Sequence, residues 1–318
     1  MRDYIGVVVA TYNGEKYIEQ QLKSIINQTI QPNMIVVSDG KSSDKTVKIC
    51  NDVLCKSGIP HKIFTSDKQL SVTENFNKAL EECDCDYIFF ADQDDWWYPN
   101  KVEIMIDSMK KYDACLAFSN AEITDKNLNP RNIDLWTSIR YQNTADIKVY
   151  PKNDDSFIQE LIKHNIVTGM TMCITAGFRA HVLPLFDGVI HDKWISFLAA
   201  YYGPVVAVNK NLVLYRQHGD NAVGTDRSLK RSLANKKKYE TKLNNWLLMI
   251  QKCFEKISDV QRSEPVDLEE YIGFLNKRVN YIQKKRNLFF VLTFIPEYKK
   301  FVLNPVEIFI KDIIARVL

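Results

Sequence analysis

Long hydrophobic runs are missing from this 318-residue chain. The apolar stretch Leu288–Ile295, for example, is short and is broken by Thr293. A spanning helix needs about 20 apolar residues, so no transmembrane segment is expected. Cysteine is scarce: there are seven, an odd number, and only Cys83-Asp84-Cys85 forms a close pair. That pair lacks the partners of a zinc site, and the scatter argues against a disulfide framework. The thiols are expected to be reduced, in a cytoplasmic protein. Met1-Arg2-Asp3-Tyr4 runs straight into a strand-like segment. That leaves no room for the regions of a signal peptide, and none is expected. With 11 Gly, 10 Pro, 46% hydrophobic and 25% charged residues, the chain is neither collagen-like, low-complexity nor disordered. Its length exceeds the roughly 100–200 residues of one domain, which predicts a large domain with an appendage, or two domains.

Charge is unevenly placed. Residues 225–318 carry 19 Lys+Arg against 11 Asp+Glu, a net +8, while the remainder has 23 against 28, a net −5. An acidic body and a basic tail suggest two jobs. The body reads as strands alternating with helices. Strands are predicted at 5–10, 34–37, 63–65, 87–91 and 114–119, each a short apolar run. Between them, Ile18, Leu22, Ile25 and Ile26 share a helical face, as do Val47, Cys50 and Leu54, then Phe76, Ala79 and Leu80, then Val102, Met105, Ile106 and Met109. This alternation means βαβ units and a mostly parallel sheet, whose ligands bind beyond the carboxyl ends of the strands. Residues 120–160 read as polar and irregular. A further strand is predicted at 166–175, with Gly169 marking a bulge or a close backbone approach. A helix opens at His191-Asp192, and strands follow at 205–208 and 212–215. Beyond about Ser228 the pattern is helical, with Leu243, Trp246, Leu247, Ile250, Phe254 and Ile257 on one stripe.

Three places could carry chemistry. Asp92-Gln93-Asp94-Asp95 follows the apolar strand ending at Ala91. Carboxylates this close repel unless a cation joins them, and hard oxygen ligands suit Mg²⁺ or Mn²⁺. The alternative is a solvated turn in which Asp95 caps the next helix. Asp192 is either a helix cap or a general base. Tyr215-Arg216-Gln217-His218-Gly219-Asp220-Asn221 is either a phosphate-holding loop or a structural one.

Taken in order, Val-Val-Ala-Thr-Tyr-Asn-Gly, Ile-Val-Val-Ser-Asp and Ala-Asp-Gln-Asp-Asp-Trp-Trp-Tyr-Pro-Asn-Lys resemble family 2 glycosyltransferases. Thr168–Met172, His191-Asp192-Lys193-Trp194 and Tyr215–Gly224 are similar to the rhamnosyltransferase-like subgroup of bacterial surface-polysaccharide synthesis. The resemblance implies an α/β GT-A fold, Rossmann-like and flanked by helices, over residues 1–224, with a basic helical region at 225–318. It implies an inverting, metal-dependent hexosyltransferase with a nucleotide-sugar donor, dTDP-rhamnose first and a UDP-hexose second, and a lipid-linked glycan acceptor.

By position, the resemblance implies that Thr11, Tyr12 and Asn13 line the nucleobase pocket and that Asp39 accepts from the pyrimidine. Asp94 would ligate Mn²⁺ or Mg²⁺, with Asp92 near the ribose and metal. Asp192 would be the catalytic base. Arg216 and His218 would close over the diphosphate, His218 as a further metal ligand. Two departures stand out. The second strand ends Ser38-Asp39-Gly40-Lys41 with one acid where the family usually has two, and Ser71 and Glu74 precede Asn75-Phe76 where Gly and a basic residue are usual. They motivate a competing reading, a catalytically silent nucleotide-sugar-binding assembly protein.

The tail sets Lys284-Lys285-Arg286 beside Leu288–Ile295, and Ile308, Ile310, Ile313 and Ile314 among Lys311 and Arg316. A basic amphipathic segment at 284–318 reads as a peripheral contact with the inner face of the plasma membrane. A helical cap on the protein or on another subunit of a homo-oligomer is the alternative. No recognition motif accompanies the basic residues, so nucleic acid is not an expected partner.

Overall fold

Strand β1 (Ile5–Thr11) is buried along its whole length, as its uninterrupted apolar sequence requires. It pairs in parallel with β2 (Met34–Asp39) on one side and β4 (Tyr87–Asp92) on the other. Beyond β2 lies β3 (His61–Thr65), also parallel. The connections are helical. Helix α1 (Ile18–Ile26) buries Ile18, Leu22 and Ile25. Helix α2 (Thr46–Ser57) buries Cys50 and Leu54 and stops at Gly58, whose φ of 72° is the left-handed conformation that glycine adopts most readily. Helix α3 (Val72–Glu81) opens with a capping box: Ser71 Oγ accepts from the Glu74 amide at 3.0 Å, and Glu74 returns a carboxylate to the Ser71 amide at 2.8 Å. The two unusual residues at 71 and 74 therefore have a local purpose, worth about 1 kcal/mol to the helix.

In this computed structural model residues 3–219, 236–258, 266–283, 293, 295–302 and 304–317 are described. They fall into two compact units, Met1–Asp154 with Ile166–Ala222, and Asp155–Asn165 with Val223–Leu318. In the first, a ten-stranded sheet runs β3-β2-β1-β4-β9-β6-β10-β5, with β7 on β6 and β8 on β10. Four antiparallel strands modify the parallel pattern, β7 and β8 at the margins and two within the main order. Strand β9 (Met172–Thr175) sits between β4 and β6 (Leu116–Thr124), and β5 (Trp96–Trp97) borders β10 (Val205–Arg216). Helix α4 (Lys101–Tyr112) joins β5 to β6.

Several sequence expectations need correction. The strand expected at 166–175 is confined to β9, because Gly169–Thr171 closes a 3₁₀ turn. The two strands expected at 205–208 and 212–215 are one, β10, whose register with β6 shifts around Asn211 so that polar residues 209–211 remain in the strand. The segment read as irregular holds β7 (Pro130–Asp134), α5 (Leu135–Ser138), β8 (Ile147–Tyr150) and α6 (Asp155–Lys163). Of these, β7, α5 and β8 are too short or too exposed to show a period, whereas α6 does show one, burying Phe157, Ile158, Leu161 and Ile162. Helices α7 (Ala176–Val182) and α8 (His191–Tyr202) complete this unit.

The second unit contains α6 with α9 (Lys236–Ser258), α10 (Val266–Gln283), α11 (Ile295–Phe301) and α12 (Pro305–Val317). The stripe Leu243, Leu247, Ile250 and Ile257 is buried. Asp312, on α12, is fully buried and holds three other helices. It accepts from Arg278 Nε at 2.8 Å and Nη2 at 3.1 Å, from the Tyr239 hydroxyl at 2.6 Å and from the Tyr298 hydroxyl. Lys311, read as part of a basic outer face, is buried and paired with Glu307 at 2.7 Å. The outward side of α12 instead shows Val306, 72% exposed, and Ile310. Lys284-Lys285-Arg286 and most of Leu288–Ile295 lie outside the described residues.

Candidate active site

Parallel register brings three sequence-distant residues to one edge of the sheet. Thr11 pairs with Asp39, and Ala10 with Asp92, at the carboxyl ends of β1, β2 and β4. Thr11 Oγ1 donates to Asp39 Oδ2 at 2.9 Å. The same oxygen receives the Ser42 hydroxyl at 2.5 Å, and Oδ1 receives the Ser42 amide at 2.8 Å. Asp39 is fully buried with both oxygens engaged inside the protein. Ser38, which stands where a second acid is usual, donates to Asn75 Oδ1 at 2.6 Å, and Asn75 donates onward to the Thr11 carbonyl at 2.8 Å. The neutral hydroxyl thus helps fix the ends of both strands.

Tyr12 stands out from this edge, 40% exposed, as a ring available for stacking. Its backbone is clamped by Gln93, which accepts from the Tyr12 amide at 2.8 Å and donates to the Tyr12 carbonyl at 3.0 Å. A Cβ on Gly14 would come within 2.3 Å of Gln93 Oε1, so this glycine is required by close approach. Asn13 adopts φ 48°, donates its backbone amide to Ser42 Oγ at 2.8 Å, and accepts from the Ser43 amide at its Oδ1 at 2.8 Å. Gln93 and Ser42 were not singled out from the sequence; lying inside recognised motifs was their only signal.

The acidic loop is electrostatically crowded. Burial, then Asp94, then Asp192 push the Asp92 carboxyl up to about 7. Asp95 is fully buried and accepts from the Arg216 amide at 3.0 Å; burial, then Asp94 and Asp92, push its carboxyl well above the usual carboxylate range. Asp94 Oδ2 lies 2.8 Å from His218 Nε2, and the His218 ring stacks on Tyr17 at 4.7 Å. The expected trio Asp92, Asp94 and His218 is thus not a ready-made cage. Among the described residues no group of three or more His, Cys, Asp or Glu is arranged to hold a metal ion. His218 bonds Asp94 directly.

Arg216, expected over a diphosphate, is only 2% exposed. Its Nε donates to the Asp94 carbonyl at 2.6 Å, Nη1 to the Lys126 carbonyl at 2.8 Å and Nη2 to Gln20 Oε1 at 2.8 Å, while the guanidinium lies over Tyr17. The side chain holds the acidic loop in place through its backbone. Lys101 does similar work from α4. It is fully buried, donates to the Met170 carbonyl at 2.6 Å and sits 3.6 Å from the Trp97 ring centre. Burial brings its ammonium down to about 7, against the opposing pull of Asp95, Cys173 and Asp92.

Met170 belongs to the 3₁₀ turn that supports Asp192. The Gly169 amide donates to Asp192 Oδ2 at 3.1 Å, and Asp192 is 4% exposed in the first turn of α8. Beneath the turn lies His191. A Cβ on Gly169 would fall 2.4 Å from His191 Nε2, so the glycine does mark a close approach. The His191 ring packs on Phe76 at 4.1 Å and Phe90 at 5.7 Å, and burial takes its pKa down to about 3. Trp194, two residues on, donates its indole N–H to the Val182 carbonyl at 2.7 Å and packs on Phe186.

A family model described as Glycosyl transferase family 2 matches residues 6–174, more than half of the chain and the whole acidic loop. The chain belongs to this glycosyltransferase family. The sheet is accordingly a GT-A fold, and the protein is a glycosyltransferase. Among curated relatives, the dTDP-rhamnosyl transferase RfbG of Shigella flexneri is 31% identical over 70% of this chain and 75% of its own length. The Escherichia coli protein named UDP-Glc:alpha-D-GlcNAc-diphosphoundecaprenol beta-1,3-glucosyltransferase WfgD is 31% identical over 40% of this chain and 49% of its own. Among solved structures, S. aureus TarS in complex with UDP-GlcNAc superimposes with a TM-score of 0.62 at 14% identity, over 98% of this chain and 89% of that one. That likeness shows the fold.

Proposed function

We propose that this family 2 enzyme moves a sugar from a nucleotide diphosphate donor to a glycan acceptor in bacterial surface-polysaccharide synthesis, with inversion and with help from a divalent metal. The observation that carries the reading is that the acidic loop at the end of β4, clamped by Arg216 at the Asp94 carbonyl, shares its strand with Phe90, on which His191, the neighbour of Asp192, packs at 5.7 Å. Rhamnose from dTDP-rhamnose is the first choice of donor, supported by the relative RfbG. A UDP-hexose is the second, supported by the name of WfgD, which also supports a lipid-linked acceptor.

The residues present fit Mn²⁺ or Mg²⁺. Asp94 offers hard oxygens, and His218 an imidazole nitrogen 2.8 Å from one of them. Asp94 and His218 would hold the ion, with donor phosphate oxygens supplying further ligands; bound there, it would neutralise charge on the leaving diphosphate. Tyr12 would stack on the base, with Thr11, Asn13 and Asp39 shaping the backbone around it. Arg216 would keep the Asp94 loop in register. Asp192, held by the Gly169 amide, would take the proton of the acceptor hydroxyl as that oxygen attacks the anomeric carbon from the face opposite the diphosphate.

Asp192→Asn keeps the shape and the Gly169 contact but cannot take a proton. Transfer is expected to fall about 10²-fold or more, the contribution of a positioned base. Donor affinity by calorimetry should stay near wild type. Normal turnover of this variant would remove Asp192 from the scheme.

A further inference from the structure

The geometry points to a seat for one sugar residue of the acceptor, a polar groove beside the catalytic edge formed by Glu122, Asn132, Ile133, Asp134, Thr137 and Asn211. This inference deepens the transferase reading and rests on it. The groove has a volume of about 260 Å³. Pockets for drug-sized ligands run to roughly 300–1,000 Å³, so this one suits a monosaccharide unit rather than a whole nucleotide sugar.

The sheet places the groove. Leu214 on β10 is the register partner of Trp96 on β5 and of Glu122 on β6, and Glu122 is in turn the partner of Asp134 on β7. Directly opposed residues on neighbouring strands face the same side, so these four form one row across the sheet. Trp96 is two residues beyond Asp94. Two strand spacings, about 10 Å, separate the Trp96 end of the row from Glu122. Arg216, whose guanidinium holds the Asp94 carbonyl, is two residues from Leu214 on the same strand and so shares this face. The groove thus opens on the side of the sheet that carries the acidic loop.

Its chemistry selects the occupant. Two carboxylates, two amides and a hydroxyl give paired acceptors and donors, the pattern that hydroxyl groups of a pyranose satisfy. The two carboxylates, with no cation in the lining, would repel a diphosphate, which excludes the donor. Each acid has one oxygen committed: Glu122 Oε2 to the Tyr98 hydroxyl at 2.8 Å, and Asp134 Oδ1 to the Thr137 amide at 2.7 Å. Those bonds fix both side chains in advance, which lowers the ordering cost of binding. Tyr98 also packs edge-on against Trp96, at 5.4 Å and 81°, so a partly exposed aromatic pair stands between the groove and Asp94. Such rings present apolar faces to the C–H side of a sugar.

The test uses the full chain with methyl glycosides of hexoses, 6-deoxyhexoses and N-acetylhexosamines, read by saturation-transfer NMR. In parallel, dTDP and UDP are titrated calorimetrically with Mn²⁺. The triple variant Glu122→Gln, Thr137→Val, Asn211→Ala touches no residue placed in the donor or metal machinery. Its affinity for whichever glycoside binds wild type should fall at least about tenfold, as expected for lost hydrogen bonds, with nucleotide affinity unchanged. Unchanged glycoside affinity in the variant overturns the seat, as does wild type that binds nucleotide but none of the glycosides. A seat that behaves as expected in a protein that releases no nucleotide diphosphate from any nucleotide sugar would instead sink the transferase reading. The two failures are therefore distinct.

Discussion

Gly169 and His191 show how much of this site rests on a single contact. The space a Cβ would need at Gly169 is taken by His191 Nε2, 2.4 Å away. Gly169→Ala should therefore lower stability by about 1–3 kcal/mol, the cost of overpacking, as read by urea denaturation. In a His191→Ala background that cost should disappear; an unchanged cost would place the cause elsewhere. His191 also makes a pH prediction. Its folded pKa is about 3, against roughly 6.5 when unfolded, because burial disfavours the imidazolium. The stability linked to it is intact above about pH 6.5 and is lost as pH falls toward 3, at up to about 1.4 kcal/mol per pH unit. Between pH 6 and 4 a His191→Leu variant should lose stability less steeply than wild type. Parallel pH curves for the two proteins would remove His191 from the acid response.

At the scale of elements, two helices and one turn hold the acids together. Helix α4 sends Lys101 to the Met170 carbonyl, and the turn containing Met170 holds Asp192 through the Gly169 amide. Lys101→Met removes that donor while keeping most of the bulk. It leaves a buried carbonyl unpaired, a loss of about 1–3 kcal/mol visible as a lower melting temperature. Turnover should fall about tenfold or more through displacement of the base, with donor affinity changed far less. A loss of donor affinity that matches the loss of turnover would show that Lys101 serves the acidic loop rather than the turn. The capping box at the start of α3 is a gentler case, since Ser71 and Glu74 stabilise the helix without touching any of the acids.

For the whole molecule, the charge asymmetry remains the guide to location. No helix among the described residues is long and apolar enough to cross a membrane. The helical unit turns Val306 and Ile310 outward on a segment with net charge +8 over residues 225–318. Contact with an anionic leaflet is the expected use of that combination. The full chain should sediment with phosphatidylglycerol-containing vesicles at low salt and be released as salt rises. Val306→Asp with Ile310→Asp should release it at lower salt. Failure to sediment at any salt would leave α12 with a purely structural part, through Asp312 and its bonds to Arg278, Tyr239 and Tyr298.

The sequence by itself determined the parallel strands β1, β2 and β4, because a strand buried on both faces must be apolar throughout. It also put Asp39 and the Asp92–Asp95 loop at the carboxyl ends of such strands. The short elements β5, β7, β8 and α5 were not legible, being too brief to have a period. Nor could the sequence show that Arg216 is spent on protein carbonyls, that Asp39 is closed off by Ser42, or that Lys311 turns inward. Charge and polarity are read from a residue's type, whereas its partners are chosen by the register of strands and the packing of helices. Glu122, Asp134 and Asn211 come together only through that register, which is why the groove they line appears in the tertiary structure alone.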